Sequence, residues 1–138
     1  MEFKDAVGFL SSNFDAVVNT FRRSGAIQSS VVKAGAYQGG VVFVAIGDSA
    51  KLKNLARDPR CTVTVVSPHW DRWCAVEGTV VIRDWGNTDH EALRVELREA
   101  FVACGGAHDD WDEYDRVMQE DRRAIVVVQP DHVYGQGV

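Results

Sequence analysis

The chain has few of the features that mark secreted or membrane proteins. Its 138 residues include only 3 cysteines, Cys61, Cys74 and Cys104, which are widely spaced. Because the count is odd and the first two lie in predicted strands, buried thiols are favoured over disulfides. The apolar runs are only a few residues long, which excludes a membrane-spanning helix. The N-terminus has acidic residues among its first five, unlike a secretory signal, so we expect a cytoplasmic protein.

Several catalytic motifs are also missing from the sequence. There is no Walker loop, no GxGxxG and no GxSxG, which disfavours a P-loop NTPase, a Rossmann dehydrogenase and a serine hydrolase. The 4 histidines lack the spacing of a zinc site, so no metal is expected. A formal net charge of -5 gives no general attraction to nucleic acid. These absences favour a bound cofactor that supplies the chemistry while the protein binds and orients it.

The order of predicted elements indicates one α+β domain spanning residues 1–138. A short helix over Glu2–Ser12 comes first, and the alternating apolar patterns that follow predict strands. The segments Ala16–Phe21, Ile27–Ala34 and 41–46 are expected to form an antiparallel meander, and Cys61–Ser67 is expected to pair with Cys74–Arg83. Because few helices separate the strands and no βαβ alternation is present, a compact antiparallel barrel is predicted.

Two helices and a last strand complete the predicted order. Helical spacing of apolar residues predicts a helix over Asp89–Ala103 and another over Asp110–Arg122, and AIVVVQP predicts the strand. Asp110 and Glu113 have the spacing of a capping box. The acidic run around them is therefore assigned to helix capping rather than to a cation site.

The segment Gly47–Val66 has the strongest functional pattern. Ser49 is placed to cap a helix whose first backbone N–H groups lack partners, and Lys51 and Lys53 lie in its first turn. Cations are slightly unfavourable at a helix N-terminus, so an anionic ligand such as a phosphate would remove the conflict. The alternative is that Leu52 and Leu55 face the core while both lysines are solvated.

Four segments together resemble one family: SAKLKNLARDPR, WCAVEG, DWDEYDRVMQEDRR and DHVYG. In order and spacing they are similar to the flavin and deazaflavin oxidoreductases of the split β-barrel superfamily that includes pyridoxamine 5'-phosphate oxidase. The nearest resemblance is to the subgroup that uses coenzyme F420, a deazaflavin. It implies a mainly antiparallel six-stranded split β-barrel with peripheral helices, which forms a homodimer with cofactor sites at the subunit interface.

The resemblance also implies roles for individual residues. Ser49, Lys51 and Lys53 match the family's phosphate-binding pattern. Gln28 and Ser30 match a pair that contacts the cofactor ring; alternation puts both on one strand face, where solvent exposure is the alternative. Ala50 stands where oxidase relatives often have an arginine, which favours F420 over flavin mononucleotide (FMN).

The loop before the strand Cys74–Arg83 contains two tryptophans. Trp70 and Trp73 either border a substrate pocket or cover the barrel end or the dimer interface, because tryptophan is enriched in all three settings. No catalytic acid or base is identified, so water is expected to supply the proton that completes the reduction.

The reaction that the resemblance implies is hydride transfer from reduced F420 to a small conjugated carbonyl or quinone-like acceptor. The alternatives are an FMN-dependent oxidoreductase of the same fold and a non-catalytic F420 carrier.

Overall fold

The computed structural model describes residues 1–138, which form four helices and one antiparallel sheet of seven strands. The helices are α1 (Phe3–Leu10), α2 (Ala50–Arg57), α3 (His90–Ala103) and α4 (Trp111–Glu120). The strands are β1 (Asp15–Phe21), β2 (Ile27–Lys33), β3 (Gly35–Tyr37), β4 (Gly40–Ala45), β5 (Arg60–Val66), β6 (Trp73–Arg83) and β7 (Ala124–Gln136). Their order in the sheet is β2-β1-β5-β6-β7-β4-β3.

The sheet confirms the α+β antiparallel prediction and corrects its details. The β1–β2 and β5–β6 pairs form as expected. The predicted meander is wrong in its third strand, because β4 pairs with β3 and β7 rather than with β2. The count is seven rather than six, because Gly35–Tyr37, which lies between two predicted strands, forms a short strand that turns back along β4.

Two cores lie on opposite faces of β4 and the first half of β7. In the large core, α1 and α2 pack on one face of the sheet, toward which Val41, Phe43 and Val126 point. In the small core, α3 and α4 cover the other face, where Val42 and Ile125 point. Both strands are therefore buried on both sides, which explains why their sequences are continuous apolar runs.

The outer face of β1, β2 and β5 has no such cover. β1 and β5 alternate between buried and half-buried positions along their lengths. On β2, at the edge of the sheet, Val31 is 84% exposed and Ile27 is 59% exposed. Helices therefore cover both faces of β4 and the first half of β7, and they leave one face of β1, β2 and β5 open.

The three cysteines are buried and unpaired, as predicted. None of the four helices has the length and apolar character needed to cross a bilayer. No three or more His, Cys, Asp or Glu side chains are grouped in a way that could hold a metal ion.

Candidate functional site

Helix α2 begins as the sequence predicts, but its cap differs in one respect. Ser49 occupies the N-cap position with an extended backbone, and its carbonyl accepts a hydrogen bond from the N–H of Lys53 at 3.2 Å. Its hydroxyl makes no capping bond, and Ser49 Oγ is buried with no hydrogen-bond partner. Because buried polar atoms are usually paired, this unsatisfied hydroxyl marks the start of α2 as a place where a hydrogen-bond partner is missing.

The turn before α2 lies directly against the turn that follows α4. The N–H of Gly47 donates to the carbonyl of Asp121 at 3.2 Å, and a Cβ on Gly47 would lie 2.6 Å from the carbonyl oxygen of Arg122. Only glycine permits this approach without a shift of the backbone. The contact brings Arg123, remote in sequence, to the neighbourhood of Lys51.

Lys51 and Arg123 form the cationic end of a cavity. Lys51 is half-buried, and burial, followed by the positive charge of Arg123, lowers the pKa of Lys51. Arg123 donates to Asp121 Oδ2 from Nε and Nη2, both at 3.2 Å, whereas Lys51 has no carboxylate within 4.0 Å. The cavity end therefore contains a partly desolvated cation without a counterion, an arrangement that favours anion binding.

The cavity has a volume of about 500 Å³. It lies along helix α4, between strands β2 and β4. Nine of its 14 lining residues are hydrophobic. The lining residues are Val31, Val32, Lys33, Val44, Ile46, Lys51, Phe101, Cys104, His108, Glu113, Tyr114, Val117, Met118 and Arg123. A mostly apolar cavity of this size lies within the range of about 300 to 1,000 Å³ typical of small-molecule sites.

Helix α4 is held against α3 by polar contacts. Tyr114 Oη donates to the carbonyl of Leu97 at 2.8 Å, and Arg98 Nε donates to Asp115 Oδ1 at 2.9 Å. The hydrogen bonds from Arg98 are the main cause that lowers the pKa of Asp115. These contacts fix the helical wall of the cavity.

The start of α4 has only half of the predicted capping box. Asp110 Oδ1 accepts from the N–H of Glu113 at 3.1 Å, as expected. The carboxylate of Glu113 binds Arg116 instead of returning to the N–H of Asp110. That N–H donates to His108 Nδ1 at 3.0 Å, so the second half of the cap is a histidine.

Most polar side chains in the cavity wall already have partners within the chain. Cys104 Sγ donates to the carbonyl of Val42 at 3.5 Å, and burial raises the pKa of this thiol to about 12. The other pairs are Lys33 with Asp15, Glu113 with Arg116, Tyr114 with Leu97, and Arg123 with Asp121. Three side chains of the wall have a nitrogen atom with no hydrogen-bond partner in the chain: Lys51 Nζ, Arg123 Nη1 and His108 Nε2.

The predicted ring-binding pair lies beside the cavity rather than in its wall. Gln28 and Ser30 are half-buried on the face of β2 that turns toward α2. Gln28 Oε1 accepts a hydrogen bond from Asn54 Nδ2 at 2.9 Å, so this oxygen already has a partner on α2. Ser30 lies two residues from Val32, which lines the cavity, and alternation puts both on the same face.

The remaining predicted residues are more distant from the cavity. Lys53 is exposed on α2 and does not line it. Trp70 is 74% exposed, and Trp73 contacts Tyr134 edge to face, with ring centroids 5.9 Å apart. Lys33 and Trp73 lie in one cross-strand row, three strand spacings apart, which corresponds to about 14 Å. The structure thus brings Lys51 to the cavity and leaves both tryptophans outside it.

The sequence predicts no role for Arg123 and leaves open whether residues 108–114 shape the pocket or only its periphery; the cavity wall contains Arg123, His108 and Tyr114. Arg123 directly follows the segment predicted as the last helix, and its approach to Lys51 depends on the contact at Gly47. A usable signal was present in the apolar face of the segment DWDEYDRVMQEDRR, where Tyr114, Val117 and Met118 recur at helical spacing.

Solved structures share this fold. A protein named F420 reductase matches with a TM-score of 0.70 and 17% identity, over 97% of this chain and 98% of that one. A conserved hypothetical protein from Mycobacterium tuberculosis matches with a TM-score of 0.73 and 20% identity, over 98% and 84% of the two chains. A heme binding protein from Mycobacterium smegmatis matches with a TM-score of 0.68 and 18% identity, over 96% of this chain and 51% of that one.

These similarities establish the fold, which is the split β-barrel of pyridoxamine 5'-phosphate oxidase-like proteins. The resemblance in fold found from the sequence is therefore confirmed. No family model matches the chain. Because one neighbour is named for F420 and another for heme, the shared fold leaves the choice of cofactor to the site itself.

Proposed function

We propose that this protein is an F420-dependent reductase of small conjugated carbonyl or quinone-like acceptors. The observation that supports it best is Lys51, a half-buried cation without a counterion at the end of an apolar cavity. An elongated ligand with an anionic end and a flat apolar ring system matches this distribution of charge. A deazaflavin with its phosphate is such a ligand.

The side chains at the cationic end fit a phosphate. Lys51 and Arg123 supply positive charge, and Ser49 Oγ is a buried hydroxyl with no partner, beside the first N–H groups of α2. Lys53 belongs to the predicted set, and its exposure gives it the weaker role of a solvent-side contact. For the ring, Val44, Val117 and Met118 offer apolar walls, and Ser30 is the nearer of the predicted polar pair.

When bound, the reduced deazaflavin supplies a hydride to an electron-poor carbon of the acceptor. The chain's own part is to bind, to orient and to exclude water. The cationic end fixes one terminus of the ligand, and the side chains of α4 limit the positions that an acceptor can take. The proton that completes the reduction comes from water.

The site is proposed to work in a homodimer. The cavity opens beside Val31, which is 84% exposed on the uncovered face of β2, and a second copy of the chain would cover both. Neither Trp70 nor Trp73 lines the cavity of its own chain. A substrate-binding role for these tryptophans therefore requires the second copy.

The first test is a fluorescence titration of the purified protein with F420, with FMN titrated under the same conditions. We expect saturable binding of F420 and weaker binding of FMN. Mixing the protein with reduced F420 and an enone should then oxidise the cofactor. A carrier would bind F420 without this oxidation, so the experiment distinguishes a reductase from a carrier. Preference for FMN would move the protein to the flavin branch, and binding of neither would overturn the proposal.

A further inference from the structure

His108 is a polar side chain of the cavity wall, remote from the two cations, with a ring nitrogen that has no partner in the chain. It lies in the loop between α3 and α4, at the opposite end of the α4 wall from Arg123. The ten residues of α4 that separate these ends span about 15 Å. The cavity therefore has a cationic end, an apolar middle and an imidazole end.

The hydrogen bond at Nδ1 determines which ring nitrogen of His108 can donate. Nδ1 accepts the N–H of Asp110 at 3.0 Å, so in the neutral imidazole the proton is on Nε2. The nearest carboxylate, that of Asp109, lies 4.0 Å from Nδ1, and Nε2 has no partner within the chain. The capping contact thus leaves an N–H donor directed away from the helix start.

Aromatic side chains fix the orientation of the His108 ring. Its centroid lies 5.7 Å from that of Tyr114, 5.8 Å from that of Trp111 and 6.1 Å from that of Phe101. A donor held by three rings and a backbone hydrogen bond cannot easily rotate toward solvent. It is a pre-organised hydrogen-bond donor at the edge of an apolar cavity.

We propose that His108 Nε2–H donates a hydrogen bond to the carbonyl oxygen of the acceptor. This inference rests on the proposed function and adds the residue that selects a carbonyl-containing substrate. As the hydride adds to the β-carbon, the C=C electron pair shifts and negative charge develops on that oxygen, which strengthens the bond; water then protonates the enolate. The acceptors favoured are therefore enones and quinones rather than unsaturated hydrocarbons.

The test compares His108→Phe, which keeps an aromatic ring without the donor, with His108→Gln, whose amide nitrogen can replace Nε2. With reduced F420 and cyclohex-2-en-1-one, we expect His108→Phe to lower kcat/KM about tenfold, the value of one lost hydrogen bond. His108→Gln should recover most of that loss. F420 affinity should be unchanged in both variants, because Lys51 and Arg123 are intact. Unchanged kcat/KM in His108→Phe, or loss of F420 binding, would overturn the proposal.

A second readout does not depend on turnover. In ¹H–¹⁵N spectra of the histidine side chains, the His108 signals, assigned by their loss in His108→Gln, should show the Nε2–H tautomer. Cyclohex-2-en-1-one should shift them, with or without oxidised F420, and cyclohexene, which lacks the carbonyl, should not. The opposite tautomer, or no shift with the enone in either state, would overturn the role of His108. Failure of the wild type to bind F420 would overturn the proposed function alone. The shift of the His108 signals by cyclohex-2-en-1-one is measured without F420 as well, so it tests the role of His108 independently.

Discussion

The two halves of the sheet differ in how they are covered, and their sequences show it. β4 and β7 are continuous apolar runs, VVFVA and AIVVV, and each has one face in the large core and the other in the small core. β1 and β5 alternate, and only one of their faces is packed. Strand patterning therefore reports how many layers lie over each part of the sheet.

The cavity lies where these two halves meet. Its walls come from α4 and from β4 on the covered side, and from Val31 to Lys33 of β2 on the open side. A fully covered sheet would have left no space, and a fully open one would have had no second wall. The difference between the halves creates the site.

The largest effect is expected from truncation on the covered half. Phe43→Ala removes a fully buried ring from the large core and should lower the free energy of unfolding by about 3 to 5 kcal/mol. Val17→Ala, on the half-buried outer face of β1, should cost about 1 kcal/mol or less. Urea denaturation of both variants checks this, and equal losses would contradict the contrast between the halves.

An intermediate effect is expected at the boundary. Lys51→Ala should weaken F420 binding by about 1 to 3 kcal/mol without loss of folding, because a charge-assisted contact disappears. Lys53→Ala, which removes an exposed lysine of the same helix, is the matched control and should change the affinity by no more than about 0.5 kcal/mol. Fluorescence titration of both variants measures the difference; equal losses would place the anion outside the cavity.

The smallest effect is expected on the open half. Val31→Ala should weaken self-association by about 1 kcal/mol, the value of the apolar area that a second copy would cover. Sedimentation equilibrium over a range of protein concentrations gives the dimer dissociation constant directly. A wild-type chain that stays monomeric throughout that range would remove the basis for the dimer.

The parts of the fold that the sequence predicts depend on residues close together in the chain, and the parts that it does not predict depend on residues far apart in the chain. The hairpin β1–β2, the N-cap position of Ser49 and the cap at Asp110 follow from neighbouring residues, and the sequence predicts each of them. The pairing of β4 with β7 does not, because β7 lies about 80 residues further along the chain and local periodicity does not choose between strands.

The candidate site shows the same division. Lys51 was predicted from its place after Ser49, where helix capping and charge are local properties. Arg123 joins it only through the close approach of Gly47 to Arg122, a tertiary contact with no sequence spacing of its own. His108 acquires its role from the N–H of Asp110, which a capping-box pattern assigns to Glu113 instead.

The contact at Gly47 has a consequence for how the molecule opens. Helix α2 belongs to the large core and α4 to the small one, so the two can unfold as separate cooperative units. An anion held by both Lys51 and Arg123 would bind only when both units are closed. Ligand occupancy would then convert two local opening reactions into one, and slow hydrogen exchange would spread from the centre of the sheet to α4.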